Sequence, residues 1–285
     1  MTTLPDMHTF VSRLRYRGKL HFESGHRIGA ERTLDVDAAD LPILTTVDGK
    51  PYIPGSSFKG AWRSYTEAVL RTLQANGGGS EHLACIPISR DADDPQRCLP
   101  QSKVKQIKER YRDDQAKLDA ALRRASCWAC RVFGNGHLAA KAMVKDIMVR
   151  PKSFFHTQIR DGVAIDRDSG RAAAGFKYQF ETVPAGAIFD VEIVVENASA
   201  AELGVAMLGL RAFERGDVPL GGAKSRGLGW CRLETNWDHN DYVTAENLLT
   251  YLLRDSSAPA TGVSEADIQS WLDAVTNLLR GNEEA

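Results

Sequence analysis

The sequence is short of net charge. Its 36 Lys and Arg stand against 37 Asp and Glu, a formal charge of -1 over 285 residues. That excludes a uniformly basic nucleic-acid binder. It leaves room for a local basic site, because placement of charge outweighs its sum. Cysteine is scarce and odd in number, with five residues, which argues against a secreted disulfide scaffold. No apolar run approaches the roughly 18–20 residues of a membrane span. Met1–Phe10 lacks the basic-then-apolar pattern of a secretory leader. Internal repeats are also missing. These absences predict a soluble, cytoplasmic chain. What is present is an ordinary globular mixture, 43% hydrophobic and 26% charged, long enough to bury a core without disulfides.

Hydrophobic periodicity lays out the elements. Residues 8–22 alternate as a strand, with Arg13, Arg15 and Arg17 along one face. The stretch 23–50 is irregular and long, and such connections often carry function. A helix starts near Gly55, with Ser56 or Ser57 as its cap and Ala61, Tyr65, Val69, Leu70 and Leu73 as its apolar face. Residues 81–126 read as a polar insertion holding one charged helix over 101–125. Strand pieces follow at 141–149, and an extended hairpin over 154–180 turns at Asp166–Gly170. A strand at 189–195 leads to a helix at 201–215, a Gly-rich loop and a strand at 230–233. The tail carries two further helices, the last capped by Ser264 and Asp267. This order predicts an α+β layer fold of the split βαβ kind.

Four features bear on chemistry. Gly221–Gly229 (GGAKSRGLG) places four glycines around Lys224, Ser225 and Arg226. Consecutive backbone N–H groups in such a loop can form an anion nest with two cations beside it, or the loop can be a plain turn; Walker A order is absent. Pro51–Arg63 (PYIPGSSFKGAWR) puts Gly55, Ser56 and Ser57 at a helix N-terminus, where N–H groups and the dipole favour an anion. Lys59 and Arg63, four apart, share a helix face. Cys127-x-x-Cys130 forms a knuckle-like pair. With Cys85 and Cys98 it can close a tetrahedral Zn²⁺ site, leaving Cys231 to the core, and His82 or His137 can substitute for one ligand. Free buried thiols are the alternative, and a redox pair would lack its βαβ context. Asp35, Asp37 and Asp40 form an acidic loop. His26, which titrates near neutrality, is a further acid–base candidate.

These motifs, IPGSSFKGAWR (53–63), CWACRVFGNGHLAA (127–140), AIDRDSG (164–170) and PLGGAKSRGLGW (219–230), occur in an order that resembles the RAMP superfamily. The likeness is greatest to backbone subunits of type III CRISPR effector complexes and spans roughly residues 8–236. It implies a modified RNA-recognition-motif, ferredoxin-like core over 8–236. A Cys-containing insertion at 81–130, a thumb hairpin at 156–180 and a helical extension at 237–285 complete the chain. It implies an antiviral effector subunit that holds guide RNA through Ser57, Lys59, Arg63, Lys224, Ser225 and Arg226. Thumb residues such as Ile165 or Phe176 would wedge between bases; Phe176 can equally be a core aromatic. The resemblance further implies an endoribonuclease acting on guide-paired target RNA. Asp40 fits its catalytic position best, ahead of Asp35 and Asp37, with Mg²⁺ as the metal. The implied partners are guide RNA, target RNA and other RAMP subunits, including copies of this chain. The alternatives are a non-catalytic scaffold and a metal-independent guide-processing ribonuclease using His26.

Overall fold

Alternation of Leu14, Tyr16, Leu20 and Phe22 with charged residues makes β1 (Ser12–Phe22) the centre of the protein. The structure, a computed structural model, describes residues 9–30, 40–76, 82–86, 89–255 and 261–280. The elements after β1 are β2 (Tyr52–Ile53), α1 (Gly55–Ala75), α2 (Gln101–Arg110), α3 (Gln115–Ala125), α4 (Trp128–Phe133), β3 (Ala142–Val144) and β4 (Ile147–Val149). They continue with β5 (Gln158–Ile165), β6 (Ala172–Thr182), β7 (Ile188–Glu196), α5 (Ala200–Arg215), β8 (Cys231–Thr235), β9 (Asp241–Thr244), α6 (Leu248–Leu253) and α7 (Glu265–Arg280).

Seven strands form one antiparallel sheet ordered β2-β4-β7-β1-β8, with β3 also on β7 and β9 also on β1. The β1–β7 register sets Leu14 beside Val195, Tyr16 beside Ile193 and Leu20 beside Phe189. One apolar face results, and α1 and α5 cover it. Phe58 of α1 stacks on Phe213 of α5 at 4.6 Å, and the Trp62 indole N–H donates to the Ala206 carbonyl at 3.0 Å. The α5 helix begins with a Ser199–Glu202 capping box and ends at left-handed Gly216. Glu202 also receives the fully buried Lys141 ammonium, a pair that ties the insertion's exit to α5. The tail helix α7 packs on α5 through Ile268, Trp271 and Val275, and Ser264 and Asp267 form its reciprocal cap.

Four expectations need correction. The charged helix over 101–125 is two helices, because Tyr111–Asp113 turns and the Asp114 carboxylate caps α3 by accepting from the Lys117 amide. Neither Ser56 nor Ser57 caps α1; Pro54 occupies the N-cap, and the Asp146 carboxylate takes the Gly55 amide at 2.8 Å. The buried face of α1 is Phe58, Trp62, Thr66, Glu67 and Leu70, offset from the predicted one. The arginine face of β1 is no bare basic strip: Arg13 pairs with Glu196 at 2.6 Å and Arg15 with Glu192 at 2.8 Å. No helix among the described residues is long and apolar enough to cross a membrane.

Candidate functional site

Three segments distant in sequence meet at the root of the β5–β6 hairpin. The first is the Gly-rich loop. It leaves α5 through Val218–Leu220 and re-enters the sheet at β8. Its ends are closed by the Leu220 amide donating to the Gly229 carbonyl and the Gly229 amide donating to the Gly25 carbonyl, both at 2.9 Å. Between them Ala223 and Gly227 are left-handed, and Lys224–Arg226 form a short 3-10 turn whose side chains are all exposed. Gly229 has φ +87°, and a Cβ there would lie 2.1 Å from the Leu220 carbonyl oxygen. Gly229→Ala is therefore expected to cost on the order of 3 kcal/mol, from left-handed strain plus a backbone clash. Urea unfolding measures this, and an unchanged midpoint would show that the loop does not need its shape.

The second segment is the hairpin. Its strands form a two-stranded sheet of their own, and β6 adds one parallel bridge at Phe180 to Leu41. Phe176 is 65% exposed and Ile165 49%, and Ile159 and Val163 are also open to solvent. Phe176 is thus no core aromatic. The third segment is the end of the acidic loop. The Asp40 carboxylate accepts from the Gln179 amide at 2.8 Å. The Leu41 amide donates to the Gln179 carbonyl, and the Glu181 amide donates to the Leu41 carbonyl. Asp35 and Asp37 lie outside the described residues. Glu181 is fully engaged, with one carboxylate oxygen on the Ile43 amide and the other on the Thr157 hydroxyl.

Two side chains that no local pattern singles out tie the segments together. The Arg27 guanidinium donates to the carbonyls of Leu41 and Pro42, and the Arg27 carbonyl accepts from the Gly222 amide at 2.9 Å. Burial pulls this guanidinium below its usual pKa, against the opposing charge of Glu181. Tyr178 accepts a hydrogen bond at its hydroxyl from the Arg226 guanidinium. The site is a surface rather than a pocket. Two clefts, of about 560 and 540 Å³, lie around Arg211–Glu214, and none of the residues named above lines either.

The PGSS helix start lies apart from that junction. Ser56 is exposed and Ser57 half-buried. The Lys59 ammonium donates to the Ala142 carbonyl at 2.8 Å, and burial lowers its pKa, with the Arg63 charge adding to the effect. Arg63 donates to the Gly134 carbonyl at 2.9 Å, to Glu67 at 2.7 Å and to the Cys130 sulfur at 3.5 Å. Lys59 and Arg63 are thus not two free cations on one helix face. Both charged ends have partners inside the fold.

Arg63 leads to the cysteines. Cys85, Cys98, Cys127 and Cys130 are buried with all four sulfurs within 4.8 Å of one another, and Cys85 and Cys130 are 3.6 Å apart. A tetrahedral site with Zn–S bonds of about 2.3 Å sets its sulfurs about 3.8 Å apart, so the set fits zinc. The Cys130 amide donates to the Cys127 sulfur at 3.4 Å, as thiolates at a knuckle require. The four thiols share protons among themselves: hydrogen bonds from Cys127 and Cys130 lower Cys85 and Cys98, while Cys127 and Cys130 are themselves raised. Glu67 bridges Arg63 and Arg71, and Arg71 holds the Cys85 carbonyl at 3.1 Å, so α1 carries one wall of the cysteine cluster. His82 and His137 are exposed and outside the set. Cys231 sits alone in the core, as expected.

The His26 side chain lies in the core. It is buried, stacked on Phe22 at 3.6 Å, and desolvation lowers its pKa from 6.5 to about 3. Its imidazole is neutral at pH 7. Between those two values the unfolded chain holds a proton that the folded chain does not, so stability falls as pH drops through that window. The slope reaches at most about 1.4 kcal/mol per pH unit. His26→Phe should flatten the acid limb of a stability–pH curve; an unchanged limb would locate the proton uptake elsewhere.

This junction belongs to a chain whose residues 19–232 match the model of the RAMP superfamily, and the protein is a member of that superfamily. It is also similar to a Methanocaldococcus jannaschii protein described as the CRISPR system Cms endoribonuclease Csm3. The two are 26% identical over 234 residues, covering 78% of each chain.

Proposed function

We propose that the protein is a guide-RNA-binding backbone subunit of a type III CRISPR effector complex, and that it cleaves guide-paired target RNA with Asp40. The observation that carries this reading is the convergence of a half-buried carboxylate, an exposed apolar hairpin and an exposed cationic glycine loop at one junction. Membership of the superfamily and the likeness to an endoribonuclease support it. In this reading residues 8–236 are a ferredoxin-like, RNA-recognition-motif core. The elements β1–α1–β3/β4–β7–α5–β8 supply its βαββαβ order. Residues 81–130 are the metal-binding insertion, 156–180 the thumb and 237–285 the helical extension. The protein acts in the cytoplasm beside other RAMP subunits, including copies of itself.

Lys224, Ser225 and Arg226 hold an RNA backbone through charge-assisted hydrogen bonds. Ser57 adds a contact at the helix start. Lys59 and Arg63 shape that region from within, because their charged ends are already partnered. Phe176 and Ile165 wedge between bases, and unstacking frees the neighbouring phosphodiester for in-line attack by its 2′-hydroxyl, with the 5′-oxygen leaving. Asp40 orients that hydroxyl. A lone carboxylate suits Mg²⁺, which keeps waters and takes one or two protein oxygens beside substrate phosphate. When bound, the metal supplies charge stabilisation at the phosphoryl oxygens.

The test is cleavage of a labelled target RNA by the assembled guide complex, with Mg²⁺ and with EDTA. Regularly spaced cuts that EDTA abolishes are expected. Tight target binding without cuts would make the protein a scaffold. In that case the Asp40–Gln179 hydrogen bond would be the whole of that carboxylate's work. Cuts that persist in EDTA would require a metal-independent nuclease, for which the neutral, buried His26 is unsuited.

A further inference from the structure

Tyr178 stands where the three segments meet, and its neighbours give it an unusual setting. Its ring lies across the opposite strand at Gly162, where a Cβ would come within 2.2 Å of Tyr178 Cζ. Only glycine leaves the ring that seat. The seat fixes the hydroxyl, which accepts from Arg226 on the Gly-rich loop, 48 residues away in sequence. The next residue, Gln179, gives its amide to the Asp40 carboxylate. One residue step of β6 therefore separates the group that holds Arg226 from the group that holds Asp40. A guanidinium has five N–H donors. Arg226 can keep the tyrosine and still present donors to a phosphate.

We infer that Tyr178 is a positioning residue that couples RNA binding at the Gly-rich loop to the setting of the Asp40 carboxylate. The inference rests on the reading of those two sites given above. Phosphate contact at Arg226 restrains the guanidinium, the tyrosine and β6 in turn, and the Gln179–Asp40 hydrogen bond becomes more persistent. The Arg27 staple joins the same loops without the hydroxyl. Removing the hydroxyl alone therefore leaves the junction folded and tests the coupling.

The experiment uses the full chain assembled on guide RNA, comparing wild type with Tyr178→Phe, Arg226→Ala and the double variant. Phenylalanine keeps the ring over Gly162. Hydrogen exchange at residues 178–181 is followed with and without guide RNA. Guide RNA is expected to slow exchange there about threefold or more in wild type and to leave it unchanged in Tyr178→Phe. Single-turnover target cleavage by Tyr178→Phe is expected to fall about tenfold, with target affinity within about twofold of wild type. Adding Tyr178→Phe to Arg226→Ala is expected to change neither readout further. Equal guide-induced slowing in wild type and Tyr178→Phe, or none in wild type, would overturn the coupling. A wild-type complex that binds target and does not cut would overturn the role of Asp40, and the exchange result would then decide the coupling alone.

Discussion

Asp40→Ala is expected to lower target cleavage by the assembled complex by about a hundredfold or more, the usual scale for loss of a group acting directly on proton transfer or metal binding. Guide and target affinity are expected to stay within about threefold, since removing an acid near phosphate takes away repulsion. Two effects are mixed in that variant, because the carboxylate also holds the Gln179 amide. Asp40→Asn separates them. Its side-chain carbonyl still accepts from Gln179 while the charge is gone. If the charge acts in catalysis, Asn should be nearly as slow as Ala. An Asn variant that cuts at the wild-type rate would reduce Asp40 to a staple between the loop and the hairpin. Loss of guide binding in Asp40→Ala would point the same way.

The second large effect concerns the cysteines. Purified protein is expected to carry about one zinc per chain, and Cys127→Ser or Cys130→Ser should remove it and destabilise the fold by roughly 5 kcal/mol or more. The size follows from position. These sulfurs are buried between α1 and α4, and Arg63, Glu67 and Arg71 are arranged around them. Without metal, thiols packed this closely must share protons in a site that also holds a guanidinium. Cys231→Ala, in the core away from the cluster, should leave zinc content unchanged. Elemental analysis and urea unfolding read both results. Full stability after zinc removal would show that the four cysteines pack as ordinary core residues.

Much of this architecture is legible in the sequence because it is local. Alternation marks β1 and β7, the glycines mark the loop at 221–229, and the turn at Asp166–Gly170 marks the hairpin. Cys127-x-x-Cys130 announces a cysteine cluster, and its two distant partners are the nearest cysteines upstream. What escapes is set by groups far along the chain. Asp146 displaces the expected serine cap of α1 from 91 residues away. Arg63 reads as a solvent cation until Gly134 and Cys130 fold against it. Arg27, Tyr178 and Gln179 have no local signature. Only the docking of the hairpin root onto the two loops gives them work. The helix break at Asp114 has only a weak local mark, an Asp that can cap but lacks the Glu or Gln three residues on, where Lys117 stands instead.

The hairpin has one more consequence. Its two strands lean on each other and on the body only at the root, so the outer residues carry no duty in the core. Selection can therefore act on the tip separately from the rest of the molecule. Changes between Ile165 and Phe176 alter the reach, width and apolar exposure of the hairpin while the sheet, the cysteine cluster and the helices stay as they are. The fold thereby mounts a part that substitution can retune on a body whose packing substitution must leave alone.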